Sequence, residues 1–160
     1  MKRLKFIGTI AFFLSLPALY FYLKLNKRSR VIVVSDNKVL LLKGWYGSNK
    51  WMLPGGGINW GESERAGAIR ELYEETKILI GTKQLKPVGR GKINDSYGLK
   101  YQFLLYEVNL SETPDIILPR LEISEYKWQD ISKINSEANE MLKSTSTLLQ
   151  TWTNAQSLLK

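Results

Sequence analysis

Three glutamates and an arginine crowd the run Arg70-Glu71-Leu72-Tyr73-Glu74-Glu75, and a triple glycine, Gly55, Gly56 and Gly57, lies shortly before it. On a helix, residues three and four apart are surface neighbours, so Glu71, Glu74 and Glu75 project into one patch. Like charges placed that way repel one another unless a cation lies among them. Hard divalent cations take oxygen ligands of this kind, so the patch implies a magnesium site, with manganese as the alternative ion. The glycines let backbone amides and carbonyls approach a ligand closely, which makes all three candidates for substrate binding. The chain has no histidine and no cysteine. Imidazole bases, thiol nucleophiles, disulfides and the usual zinc ligands are therefore excluded.

The elements around these residues must hold them in place. Ala66, Ile69, Leu72, Tyr73 and Thr76 recur at three-to-four spacing and supply a face for burial, which leaves the glutamates on the other side. Ser63 can cap the helix, with Glu62 and Glu64 favourably placed at its positive end. The preceding WMLPGGGINWGE reads as a short strand, a proline stop and a glycine loop.

With these residues quoted, the chain resembles the Nudix family. Gly56, Glu62, Arg70, Glu71, Leu72, Glu74, Glu75 and Ile78 match the box G(x5)E(x7)REUxEExGU at every spacing. One position departs from it: Lys77 stands where the family has glycine, so either the backbone is strained there or the helix is lengthened. The surrounding strand pattern extends the similarity over roughly residues 30–134. The resemblance implies an α/β fold, a Nudix-like α/β/α sandwich with a mixed sheet. It also implies magnesium-dependent cleavage of a nucleoside diphosphate joined to another group. Glu71, Glu74 and Glu75 are then the metal ligands and catalytic carboxylates, the carbonyl of Gly55 is a further ligand, and Arg70 orients a neighbouring glutamate. Without histidine a glutamate must act as any general base; the candidates are the box itself or a later loop with Glu122, and Glu125 as a substitute. A Nudix-like module that binds or senses nucleotides without turnover is the alternative.

Net charge is +8, but its distribution matters more than its size. Lys2, Arg3, Lys5, Lys24, Lys27, Arg28 and Arg30 face no acid within the first 30 residues, whereas the remainder sets 16 cations against 15 acids. No specific nucleic-acid binding is expected of so balanced a domain. Residues 6–23 form an uncharged apolar run of 18 residues between Lys5 and Lys24. At 1.5 Å per residue it reaches about 27 Å, enough to cross the hydrocarbon of a bilayer. Tyr20 and Tyr22 suit an interfacial belt. The reading is a single transmembrane helix, with a signal peptide or a buried helix as rivals. Residues 1–29 are then an anchor with a basic flank and residues 30–160 the catalytic domain, placed on the cytoplasmic side where nucleotides and magnesium abound. Oligomeric state is not legible.

Downstream, strands are expected at residues 31–34 and 39–43 about a turn at Ser35-Asp36-Asn37, at 86–93, at 99–110 and at 126–128. Met141, Leu142, Thr145, Leu148, Leu149 and Trp152 predict an amphipathic helix in the tail from residue 135. Trp45, Tyr46, Trp51 and Trp60 are aromatic candidates for stacking on a base, or for core and rim packing.

Overall fold

The computed structural model describes residues 27–94, 100–119 and 122–157. Five strands, β1 (Lys27–Ser35), β2 (Lys38–Gly44), β3 (Lys86–Asn94), β4 (Lys100–Asn109) and β5 (Ile123–Asp130), form one sheet in the order β3-β4-β1-β2-β5. β1 runs parallel to β4, while the β1–β2, β2–β5 and β3–β4 pairs are antiparallel, so the sheet is mixed as expected. Helix α1 (Glu64–Thr76) and helix α2 (Lys143–Ser157) cover opposite faces.

Period-two alternation along β1 and β2 divides the core. Val31, Val33, Leu40 and Leu42 pack with Ala68 and Leu72 of α1. Ile32, Val39 and Leu41 pack with Leu148, Leu149 and Trp152 of α2. Asp36 and Asn37 turn the β1–β2 hairpin with φ of 46° and 58°, the two left-handed residues of the turn that suits strand twist. The hairpin then opens. β1 and β2 pair only at Val34↔Val39 and Ser35↔Lys38. Beyond that, Met52 exchanges backbone bonds with Leu42, while the carbonyls of Pro54 and Gly56 accept from Val31 and Ser29 of β1 at 2.9 Å each. The glycine loop is thus wedged into a split in the sheet, which is what positions the site.

β1 starts at Lys27, so Lys27, Arg28 and Arg30 are sheet residues, and Ser29 and Arg30 are buried. β5 is longer than the expected 126–128 because β2 gives it a full partner. The tail helix starts at Lys143, later than expected. Residues ahead of it form short turns at Ile131–Lys133 and Ala138–Glu140, and Met141 is buried as an extended residue bridging to Trp51. Glu107 of β4 accepts from Trp152 Nε1 at 2.6 Å and Gln156 Nε2 at 3.3 Å, pinning α2. The apolar run 6–23 lies outside the described residues; among those described, no helix is long and apolar enough to cross a membrane.

Candidate active site

Helix α1 begins where the sequence places it. Ser63 accepts from the Ala66 amide at 3.2 Å, satisfying an otherwise orphaned first-turn donor, and Glu64 adds negative charge at the positive end of the dipole. The buried stripe is Gly67, Ala68, Leu72 and Thr76, a narrower set than expected; Ala66 and Tyr73 are exposed. The correction extends to the glutamates. Glu71 and Glu75 do not face away from the core but lie partly buried beside the stripe, turned toward the glycine loop.

Lys77 resolves the alternatives left by the missing family glycine. The helix is not lengthened: it stops at Thr76, with Lys77 at φ 62°, left-handed, its N–H bonded to Tyr73 O at 2.9 Å. A side chain in that region costs about 1–2 kcal/mol, partly offset by the greater freedom of glycine in the unfolded chain. Lys77→Gly is therefore expected to raise stability by about 0.5–1 kcal/mol with turnover unchanged, read from denaturant midpoints; a loss of stability would refute the strain.

Arg70 is the hub. Its Nε and Nη2 grip Glu62 at 3.0 and 3.1 Å, Nη1 reaches Glu71 at 2.9 Å and Glu74 at 3.1 Å, and Nη2 also donates to the Gly57 carbonyl at 2.9 Å. The forked contact holds the Glu62 carboxyl below its usual range. Arg70 thus contacts all three neighbouring glutamates, and its principal partner is Glu62, which ties the loop to the helix.

Glu75 has no such partner. Its Oε2 accepts from the Gly55 amide at 2.8 Å, yet burial pushes its carboxyl up to about 8, aided by the negative charges of Glu71 and Glu122. Glu71 is also raised, again by burial, in spite of Arg70. Gly56 lies directly against the Glu71 carboxylate, so a Cβ there would collide with it. Gly55, at φ 128°, has the Ser29 carbonyl where a Cβ would stand. Its own carbonyl accepts from Nη1 of Arg30, a buried cation that also favours the ionised forms of Glu71 and Glu75. The expected ligand role of Gly55 thus requires one carbonyl to serve Arg30 and a metal together. Arg30 was missed in sequence because it looks like one more basic residue flanking an apolar run.

Among the described residues, no three carboxylates are already gathered as a metal cluster. The donor set nevertheless fits a divalent cation. Two glutamates one helical turn apart carry raised proton affinities because burial outweighs the cations beside them, Arg70 at Glu71 and Arg30 at both, and an added cation would offset the remainder. Glu74 is exposed and shares Arg70. Glu122 is exposed but near enough to raise Glu75, whereas Glu125 is tied to Lys43 at 3.1 Å. Of the aromatic candidates, Trp51 is taken up as packing, its ring 4.2 Å from Lys43 Nζ and 4.9 Å from that of Lys127. Trp60 is wholly exposed.

A mixed sheet between two helices, split to admit a glycine loop under a glutamate-bearing helix, brings backbone amides and buried carboxylates together at one site, a donor set suited to a phosphate anhydride and its cation. The family model for the NUDIX domain matches residues 25–149, and the chain belongs to that family. It is a Nudix-type pyrophosphohydrolase. It is 30% identical over 116 residues to the uncharacterized Nudix hydrolase YvcI of Bacillus subtilis, covering 70% of each chain. It is 31% identical over 109 residues to an RNA pyrophosphohydrolase of Bartonella quintana, of which it spans only 61%, with 56% of this chain matched. Among solved structures, the MutT protein of Methanosarcina mazei superposes with a TM-score of 0.69 at 22% identity, covering 82% of this chain and 94% of that one, which supports the fold.

Proposed function

We propose that the chain is a membrane-tethered, magnesium-dependent hydrolase of nucleoside diphosphate derivatives, held by residues 6–23 with its catalytic domain in the cytoplasm. The observation that carries the catalytic part is the under-compensated pair Glu71 and Glu75 beside the glycine loop. Magnesium bound there would neutralise the diphosphate and acidify a water. Arg70 keeps Glu62, Glu71 and Glu74 in register, and Gly55 to Gly57 let backbone approach the phosphates. Glu122, placed to feel the charge of Glu75, is the loop carboxylate for proton removal. Glu122→Gln is accordingly expected to lower kcat by roughly 10²-fold, with KM for substrate little altered; an unchanged kcat removes it from the reaction.

A second substrate, the 5′-polyphosphate end of RNA, is favoured by the similarity to the Bartonella RNA pyrophosphohydrolase. The same bond type and carboxylates serve both. The full chain in detergent, supplied with magnesium or manganese, should be offered ADP-ribose-like compounds, nucleotide sugars, dinucleoside polyphosphates, nucleoside triphosphates and a 5′-triphosphorylated oligonucleotide. Products name the substrate. Tight nucleotide binding without turnover of any of them would make the chain a sensor.

A further inference from the structure

We infer that one end of the sheet is a docking surface for an anionic lipid bilayer, formed by Trp60 with Lys27, Arg90, Lys92 and Lys100. The inference rests on the tethering just proposed and adds to it where the domain sits. Lys27 is opposite Gln102 on the parallel neighbour β4, and Lys92 is opposite the same Gln102 on the other side. Asn94 pairs with Lys100. The start of β1, the start of β4 and the end of β3 therefore meet at one edge, with Arg90 one pleat further in. Lys27, Arg90, Lys92, Gln102 and Glu64 line a pocket of about 220 Å³ there. Among the described lining residues the one carboxylate, Glu64, is held by Lys27 at 2.6 Å, and cations outnumber it there.

The glycine loop reaches the same end. Ile58 N bonds to the carbonyl of Lys27, and the chain then turns, Glu62 N bonding to Asn59 O, with Trp60 at the tip. Trp60 has a relative exposure of 104%, so no described residue covers its indole. A bare tryptophan at the same end of the sheet as these cations is the combination that membrane–water interfaces favour: an amphipathic ring at headgroup depth and ammonium or guanidinium groups on lipid phosphates. The chain supplies the distance. The apolar run ends at Leu23, four residues before Lys27. Four residues span at most about 14 Å, so the basic end cannot leave the surface from which the anchor emerges.

Because the chain contains no cysteine, Asn94→Cys at this end and Lys133→Cys, which follows β5 at the far end, each give one labelling position. The full chain, carrying a fluorophore at either, is reconstituted in phosphatidylcholine vesicles with or without phosphatidylglycerol, doped with nitroxide-headgroup lipid, and floated. The expected result is quenching at position 94 at least about threefold that at 133 in the anionic vesicles. That excess should fall to the control level in an Arg90→Glu, Lys92→Glu, Trp60→Ser variant that still floats. Equal quenching at both positions in floated protein, or a ratio indifferent to phosphatidylglycerol, overturns the docking while tethering stands. Failure to float sinks tethering and docking together, and leaves the hydrolase reading to the turnover assay.

Discussion

Glu75→Gln is expected to abolish most turnover while making the metal-free protein more stable at alkaline pH. The substitution keeps shape and removes charge. With magnesium present, loss of an ionised ligand and catalytic carboxylate should lower kcat by at least about 10²-fold, the scale of positioned acid–base groups. Stability moves the other way because the folded Glu75 carboxyl is raised by burial to about 8 from an ordinary value of 4.5. Where a folded-state value lies above the unfolded one, the folded form holds the proton longer. The contribution is full below the unfolded value and is lost as pH rises through the folded one. The wild-type melting temperature without metal should therefore fall between about pH 5 and pH 8 and level off beyond, whereas Glu75→Gln should show a shallower fall. Magnesium should reverse the ranking by stabilising the wild type, and more at pH 8 than at pH 6, since below about 8 the ion must displace a proton. Melting curves of both proteins across that range, with and without magnesium, test all of this. Identical pH slopes in the two proteins would show that burial of Glu75 carries no free-energy cost.

Much of this arrangement is legible in the sequence. The cap at Ser63, the helix through Thr76 and the hairpin at Asp36-Asn37 rest on local rules, and local rules act on neighbouring residues. The inward turn of Glu71 and Glu75 does not follow from periodicity. A helix face that receives a glycine loop need not be apolar, so the three-to-four pattern assigned Ala66 and Tyr73 to the core and the carboxylates to solvent. The opening of β1 from β2 is equally silent in sequence, because it depends on residues 52–58 finding backbone partners on both strands. Arg30 becomes interpretable only after that split is known. It is a strand residue whose guanidinium meets a loop 25 positions away. Lys77 shows the reverse case: the sequence marks the exception to the family pattern, and only the backbone shows that the helix ends on schedule and bears the strain.

The second large effect is expected at Arg70, where Arg70→Lys keeps the charge and loses the fork. One guanidinium serves Glu62 through two nitrogens, reaches Glu71 and Glu74 through a third, and donates to Gly57 O. An ammonium has three donors at a single point and cannot span those acceptors. Glu62 should keep a partner, being the one carboxylate of the three engaged through both oxygens, while Glu71 and Glu74 lose their shared orientation. Groups that orient metal-binding carboxylates typically cost 10–100-fold in metal affinity or activity when replaced, and an effect of about that size is expected here. It should be visible as a rise in the magnesium concentration needed for half-maximal turnover. The cost in stability should be smaller, about 1–2 kcal/mol, because the side chain is partly exposed and one charged contact survives. The split between these readouts decides the role. A variant that melts lower but needs no more magnesium would make Arg70 a strut between loop and helix. A shifted magnesium requirement at nearly native stability would make it the residue that sets the carboxylates for the ion.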